Sequence, residues 1–135
     1  MAAKETTYVE GIGRRKTASA RVRLTPAKET IITVNDKPMT EYFRNLGDQK
    51  VLTAVLDTAD AGIEHYTITV HVKGSGIAAQ ADAIRLGIAR ALVKEKATRR
   101  GVLKAAGYLE RDQRSVERKK PGLRKARKRP AWSKR

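Results

Sequence analysis

The most informative segment runs from Tyr66 to Leu92 and reads YTITVHVKGSGIAAQADAIRLGIARAL. Apolar and polar residues alternate from Tyr66 to Val72, and this period of two predicts a half-buried strand. After a glycine-containing turn, apolar residues recur at helical spacing and predict a long amphipathic helix. These apolar positions are Ile77, Ala81, Ile84, Ile88, Ala91 and Leu92. The segment therefore predicts a sheet with a helix packed on one of its faces.

Upstream segments extend this sheet. Thr17 to Leu24 also alternates, with its arginines Arg21 and Arg23 on the polar side, which predicts a strand with a basic outer face. Ile31 to Val34 is a short β-branched run that predicts a further strand, and we expect it to form a hairpin with the strand from Thr17 to Leu24.

Two further helices are predicted. One begins after Asp48, a favourable N-cap residue, and ends at Gly62. A shorter one spans Val102 to Ala106 and ends at Gly107. Strands and helices mixed in this order predict an α+β chain, a two-layer α/β sandwich with helices on one face of a sheet. The other face is then available to a partner.

The composition indicates one domain followed by a cationic arm. Residues 1–98 carry 15 basic and 11 acidic groups, whereas residues 99–135 carry 15 basic and 3 acidic groups. The first 98 residues contain 23 Val, Ile, Leu and Phe, which suffices for one modest core. We therefore expect a globular domain over residues 1–108 and an extended basic tail over residues 109–135, individually disordered.

The sequence lacks cysteine, a membrane-spanning apolar run and an apolar signal segment, which argues against several classes of protein. It has no cysteine, so no disulfide framework is expected, and this fits a reducing cytosol. Its apolar runs fall short of the roughly 20 residues that span a bilayer. The opening residues MAAKETTYVE lack an apolar signal segment, so we expect a cytoplasmic protein without a membrane contact.

The tail from Arg118 to Arg135 contains ten Lys or Arg and no acidic residue, which favours contact with a polyanion. Pro121 and Pro130 prevent a continuous helix, and Trp132 offers a stacking surface. A localisation signal or a generic polybasic arm remains an alternative interpretation of such a run.

A second basic segment, Gly11 to Thr17, contains two glycines followed by Arg14, Arg15 and Lys16. It is not a Walker A loop, because Arg15 stands where that loop has a glycine. Two interpretations remain open. It is either a glycine-containing strand with solvated charges, or a basic loop whose glycines allow close approach to RNA phosphate.

The remaining polar features give weak signals. Lys73 to Gly76 joins a strand to a helix, where a turn is the simpler interpretation and an RNA phosphate at the helix start the alternative. His65 and His71 lack a third metal-ligating neighbour, and His71 is expected to be solvated or to face RNA. The serines are not in a nucleophile-elbow sequence. We therefore expect no enzyme activity, no cofactor, no metal and no small-molecule substrate.

The chain resembles the bacterial small-subunit ribosomal protein nine family over nearly its whole length. The matching segments are YVEGIGRRKTASARVRL, AIRLGIARAL, LKAAGYLERD and, most specifically, VERKKPGLRKARKRPAWSKR at the end. Local departures include Gly74-Ser75-Gly76 for the usual glycine triplet and Pro130-Ala131-Trp132 for Pro-Gln-Phe.

This resemblance implies a sandwich of the ribosomal-protein-five second-domain type, located in the 30S head on small-subunit (16S) rRNA beside neighbouring ribosomal proteins. It also implies that the tail reaches P-site tRNA through the last residues, Ser133, Lys134 and Arg135. A competing hypothesis is a nucleoid-type basic DNA-binding protein, and a weaker one is an enzyme acting on phosphorylated substrates. The residues expected to bind rRNA are Arg14, Arg15, Lys16, Arg21, Arg23, Lys73, Arg85, Arg118, Lys119, Lys120, Arg124, Lys125, Arg127, Lys128 and Arg129.

Overall fold

The computed structural model of the chain describes residues 7–60 and 64–133. These residues form five strands, four α-helices and one 3₁₀ turn. In chain order they are β1 (Val9–Arg15), β2 (Ala18–Pro26), β3 (Ile31–Val34), β4 (Lys37–Pro38), α1 (Met39–Tyr42), α2 (Leu46–Asp60), β5 (Tyr66–Lys73), α3 (Ile77–Glu95), the 3₁₀ turn Ala97–Arg99 and α4 (Arg100–Ala105). The α+β class and the strand–turn–helix unit predicted from Tyr66 to Leu92 are confirmed.

The strands form one sheet in the order β1-β2-β5-β3-β4. The strands β1 and β2 pair antiparallel around the tight turn at Lys16 and Thr17, β2 pairs antiparallel with β5, and β5 pairs parallel with β3. The predicted hairpin between the Thr17–Leu24 and Ile31–Val34 runs is therefore wrong, because β5 lies between them.

Asn35 provides a physical reason for this strand order. Its side-chain amide accepts a hydrogen bond from the Val72 N–H and donates one to the Val72 carbonyl, both at 3.0 Å. Its backbone N–H donates to the Val70 carbonyl. Because the amide continues the ladder where β3 ends, it stabilises pairing of β3 with β5 rather than with β2.

The core lies between one face of the sheet and the helices. The apolar residues of β2 and β5 are buried, while the residues that alternate with them are half-buried or exposed. In α3 the predicted apolar stripe is confirmed from Ala81 to Leu92. Its first member, Ile77, is 54% exposed, because the first helical turn lies beside a surface depression lined by Tyr42 and Arg44.

The two glycines of β1 have a packing role that the sequence did not indicate. A Cβ on Gly11 would lie 2.3 Å from the Gly87 carbonyl oxygen, and one on Gly13 would lie 1.7 Å from the Ala83 carbonyl oxygen. The backbone of α3 thus lies directly on the backbone of β1. The glycine-containing strand of the first interpretation is confirmed, and the space beside its glycines is filled by the backbone of α3. Contact of the basic residues of this segment with RNA phosphate stays a prediction.

The bounds of two helices were predicted with different success. The helix α2 begins at Leu46, upstream of the predicted cap Asp48, because the Asn45 side-chain oxygen accepts from the Gly47 N–H at 3.0 Å. Its predicted end, Gly62, lies outside the described residues. The predicted end of α4 is confirmed, since Gly107 has φ +81° and its N–H donates to the Lys104 carbonyl.

Residues 106–133 contain no helix or strand, although a turn occurs at Pro121 and Gly122. The division into a globular part and a tail at residue 109 stays a prediction, and Tyr108 and Leu109 pack against the core as partly buried residues. Among the described residues, no helix combines the length and the apolar character needed to cross a membrane.

Candidate nucleic-acid interface

The face of the sheet opposite the helices is open and basic. Arg14 of β1 lies opposite Ser19 of β2, which lies opposite Lys73 of β5. In a neighbouring row Arg21 lies opposite His71. All five side chains are exposed. Directly opposed residues share a face with their Cβ atoms about 4.5–5.5 Å apart, so the sheet presents a contiguous cationic surface. We call Arg14, Arg21 and Lys73 the open-face cations.

Arg23 lies on the same face but is held by protein partners. Its Nε donates to the Glu10 carboxylate at 3.0 Å across the β1–β2 pair. Its guanidinium carbon lies 4.5 Å from the centroid of the Tyr8 ring. Because both interactions involve half-buried or exposed groups, they orient the guanidinium and neutralise only part of its charge.

Arg15 points to the other side of β1, toward the helices. It forms ion pairs with Asp82 of α3 and, at 3.3 Å, with Asp112 at the beginning of the tail. Arg85 lies 4.0 Å from Asp82 and places its guanidinium 5.8 Å from the Tyr108 ring centroid. We call this group, Arg15, Asp82, Arg85, Tyr108 and Asp112, the tail-root cluster. Two of the predicted rRNA ligands thus contact the protein itself and connect the tail to the domain.

Asp112 of the tail-root cluster accepts several hydrogen bonds from Arg114. Arg114 donates to it from its guanidinium and, at 2.9 Å, from its backbone N–H. These bonds, assisted by the nearby charge of Arg15, hold the pKa of Asp112 well below its usual value. The carboxylate therefore remains ionised, and its bonds persist across the neutral pH range.

The glycine turn after β5 has a sufficient structural explanation. Gly74 and Ser75 both adopt positive φ, at +89° and +54°, and a Cβ on Gly74 would lie 2.6 Å from the Thr17 carbonyl oxygen. Gln80 donates from its side chain to the Gly74 carbonyl at 3.0 Å. The turn interpretation is confirmed, and the phosphate contact at this helix start stays a prediction.

The basic tail contains two kinds of cation. Glu117 forms ion pairs with Lys120 and, at 2.9 Å, with Arg127. The other predicted rRNA ligands of the tail are exposed, and none forms an ion pair within residues 7–60 and 64–133. They are Arg118, Lys119, Arg124, Lys125, Lys128 and Arg129. Trp132 and Ser133 are exposed as well, while Lys134 and Arg135 lie outside the described residues.

Arg99 lies at the centre of a hydrogen-bond network that was not predicted from the sequence. Its guanidinium is buried and donates to the Glu64 and Glu95 carboxylates at 2.6 and 2.8 Å, and to the Tyr66 hydroxyl at 2.7 Å. Lys96 also forms an ion pair with Glu64. The hydrogen bond from Lys96 is the main cause, and the hydrogen bond from the Tyr66 hydroxyl the second cause, of the lowering of the pKa of Glu64 to about 2. Burial, with the two carboxylates as acceptors, raises the pKa of Tyr66. The network joins α3 and the 3₁₀ turn to β5.

The histidines do not form a site together. His71 is exposed on the open face, whereas His65 lies 3.1 Å from the Thr30 hydroxyl through its Nδ1. In the part of the chain that the structure describes, no group of three or more His, Cys, Asp or Glu side chains is arranged to hold a metal ion.

The fold and these surfaces define a class, a small polycationic α+β protein of the kind that packs against nucleic acid. Comparison with known proteins agrees with it. The profile of the family described as ribosomal protein S9/S16 matches residues 13–135. A Synechococcus protein named small ribosomal subunit protein uS9 is 51% identical over 127 residues, which are 93% of this chain and 91% of that protein. The protein of the same name from Crocosphaera subtropica is 49% identical over 134 residues, 98% of this chain and 96% of its own.

The chain therefore belongs to the ribosomal protein S9/S16 family. The family predicted from the sequence is therefore confirmed. Membership supports a structural role in the ribosome, the cytoplasmic ribonucleoprotein particle that carries out translation.

Proposed function

We propose that the protein is a structural constituent of the small ribosomal subunit and that it binds 16S rRNA through two surfaces. The first is the set of open-face cations, and the second is the set of exposed tail cations. The contiguous cationic surface on the open sheet face, which no helix of the described residues covers, is the observation that carries this proposal. The planar guanidinium of Arg suits two phosphate oxygens at once, and Lys provides a single point charge. Both side chains can therefore donate hydrogen bonds to RNA phosphate. The chain has no catalytic role in this proposal.

A matched pair of substitutions tests the open face. Lys73→Ala removes an open-face cation, and Lys94→Ala removes an exposed lysine from α3. Each phosphate contact that is lost lowers the magnitude of the slope of log affinity against log salt by about 0.7–0.9. We expect this reduction for Lys73→Ala and not for Lys94→Ala, measured by titration of a 16S rRNA head-domain fragment. Equal slopes for both variants would remove the open face from the proposal.

The full chain must also occupy a specific place in the particle. We expect the endogenous protein to co-sediment stoichiometrically with 30S subunits through a high-salt sucrose gradient. Bulk attraction between polycations and polyanions weakens steeply with salt, so retention requires a shaped rRNA site. Recovery on duplex DNA instead would favour a nucleoid-type DNA-binding protein.

We propose further that the last residues contact P-site tRNA, in accordance with the resemblance of the terminal Ser-Lys-Arg to the family. Deletion of Ser133 to Arg135 is expected to leave 30S assembly intact and to weaken tRNA binding at the P site. Filter binding of deacylated tRNA to reconstituted 30S subunits measures this effect. Unchanged tRNA affinity would refute the role of the terminus.

A further inference from the structure

The tail contains a closed loop between residues 117 and 128. Its first half is a tight turn, in which the Leu123 N–H donates to the Lys120 carbonyl at 3.3 Å. Pro121 and Gly122 occupy the central positions, and Gly122 has φ +76°. A proline followed by a residue at positive φ is the pattern of a type II turn, which glycine adopts without steric strain.

The second half of this loop is closed by the backbone as well. The Arg124 N–H donates to the Lys128 carbonyl at 2.8 Å, so the chain returns toward its own turn. Leu123 and Ala126 are half-buried, although their neighbours Arg124, Lys125 and Arg127 are exposed. A uniformly extended polycation would have none of these features, so residues 117–128 have a shape of their own.

Glu117 bridges the two halves of the loop. One carboxylate oxygen pairs with Lys120 in the turn and the other accepts from Arg127 Nε at 2.9 Å, ten positions further along the chain. It is the sole acidic residue from Gln113 to Arg135. A single negative charge therefore offsets the mutual repulsion of cations that the loop brings close together.

We propose that Glu117 is a positioning residue that keeps residues 117–128 closed in the free protein. The closed loop then presents five of the six exposed tail cations, all except Arg129, to RNA phosphate as a preformed surface. Lys120 and Arg127 serve mainly to hold its shape. This inference rests on the proposed rRNA binding. A disordered arm loses conformational entropy when it binds, and a preformed loop reduces this entropic cost.

Glu117→Gln separates this inference from bulk electrostatics. The substitution raises the net charge by one, so a simple polycation would bind every polyanion more tightly. If the loop geometry matters, the affinity for the shaped rRNA site should fall relative to the affinity for an unstructured homopolymer. Glu110→Gln is the matched control, because Glu110 is exposed and forms no ion pair within the described residues.

Two measurements on the full-length protein test the proposal. The first is the backbone ¹⁵N order parameter of Gly122 to Ala126 without RNA, which reports picosecond to nanosecond motion. The second is the ratio of affinities for a 16S rRNA head-domain fragment and for polyuridylate at one salt concentration. We expect Glu117→Gln to lower the order parameters and to lower the ratio about two- to thirtyfold, the range given by two exposed ion pairs. Glu110→Gln should leave both unchanged.

The outcomes distinguish the two levels of the proposal. Low order parameters in the wild-type loop would overturn the closed loop. Equal values in wild type and Glu117→Gln would overturn the positioning role of Glu117. A loosened loop with an unchanged affinity ratio would overturn its role in RNA binding. If the wild-type protein does not prefer the rRNA fragment to polyuridylate, the proposed rRNA function fails, and the order parameters still decide whether Glu117 closes the loop.

Discussion

Substitution of Gly13 by alanine tests whether the glycines of β1 exist for packing or for RNA. A Cβ at this position would lie 1.7 Å from the Ala83 carbonyl oxygen and 2.5 Å from the Gly87 nitrogen. Real Cβ atoms stay at least about 3.0 Å from such atoms, so the carbonyl must retreat by about 1.3 Å. Both obstructing atoms are backbone of α3, so the helix itself must shift on the sheet.

The energetic consequence follows from this shift. Forcing an extra carbon into a packed interior typically costs about 1–3 kcal/mol, and two backbone clashes place Gly13→Ala at the upper end, at about 3 kcal/mol. A domain of this size is stable by only about 5–15 kcal/mol. We therefore expect a large decrease in the free energy of unfolding, measured by urea denaturation followed by circular dichroism.

Gly101→Ala is the control for this experiment. Gly101 lies within α4 and is exposed, and a Cβ added to it would meet nothing within 4 Å. Alanine favours a helix over glycine by up to about 1 kcal/mol, so this variant should be as stable as wild type or slightly more stable. If Gly13→Ala stays within about 0.5 kcal/mol of wild type and loses rRNA affinity instead, the packing explanation is refuted and a phosphate contact at β1 is favoured.

Three further predictions concern the ionic networks. Asp112→Asn should leave the unfolding midpoint nearly unchanged and accelerate tryptic cleavage after Arg111, because it loosens the tail root, and an unchanged cleavage rate would contradict this. Arg99→Met should destabilise the protein by about 2–4 kcal/mol, since it removes a buried guanidinium that donates to two carboxylates and to the Tyr66 hydroxyl, whereas Arg100→Met at the exposed neighbouring position should have little effect on urea denaturation. The pKa of Glu64 is lowered from 4.5 to about 2, so the stability that its carboxylate contributes is complete above pH 4.5 and is lost as the pH falls toward 2. In Glu64→Gln the unfolding midpoint should therefore depend less on pH across this range than it does in the wild-type protein.

The success of sequence reasoning differed between local pattern and distant pairing. The strand from Tyr66 and the helix from Ile77 have a periodicity that depends only on one buried face, so the sequence carries it directly. The pairing of Ile31 to Val34 with β5 depends on Asn35 and on contacts between segments far apart in the chain. Propensity carries no information on such contacts, which explains why the hairpin prediction failed.

The basic residues of the candidate interface show how far composition alone can lead. Arg14, Arg15 and Lys16 are adjacent in sequence and were predicted to act together, but a strand sends neighbouring side chains to opposite faces. Arg14 consequently joins the open face, while Arg15 pairs with Asp82 under α3. The alternation needed to predict this was hidden, because glycines occupy two of the inward positions of β1, where apolar side chains would have marked the buried face. Net charge therefore indicates the kind of partner, and the local geometry of each cation decides whether it meets that partner or holds the fold.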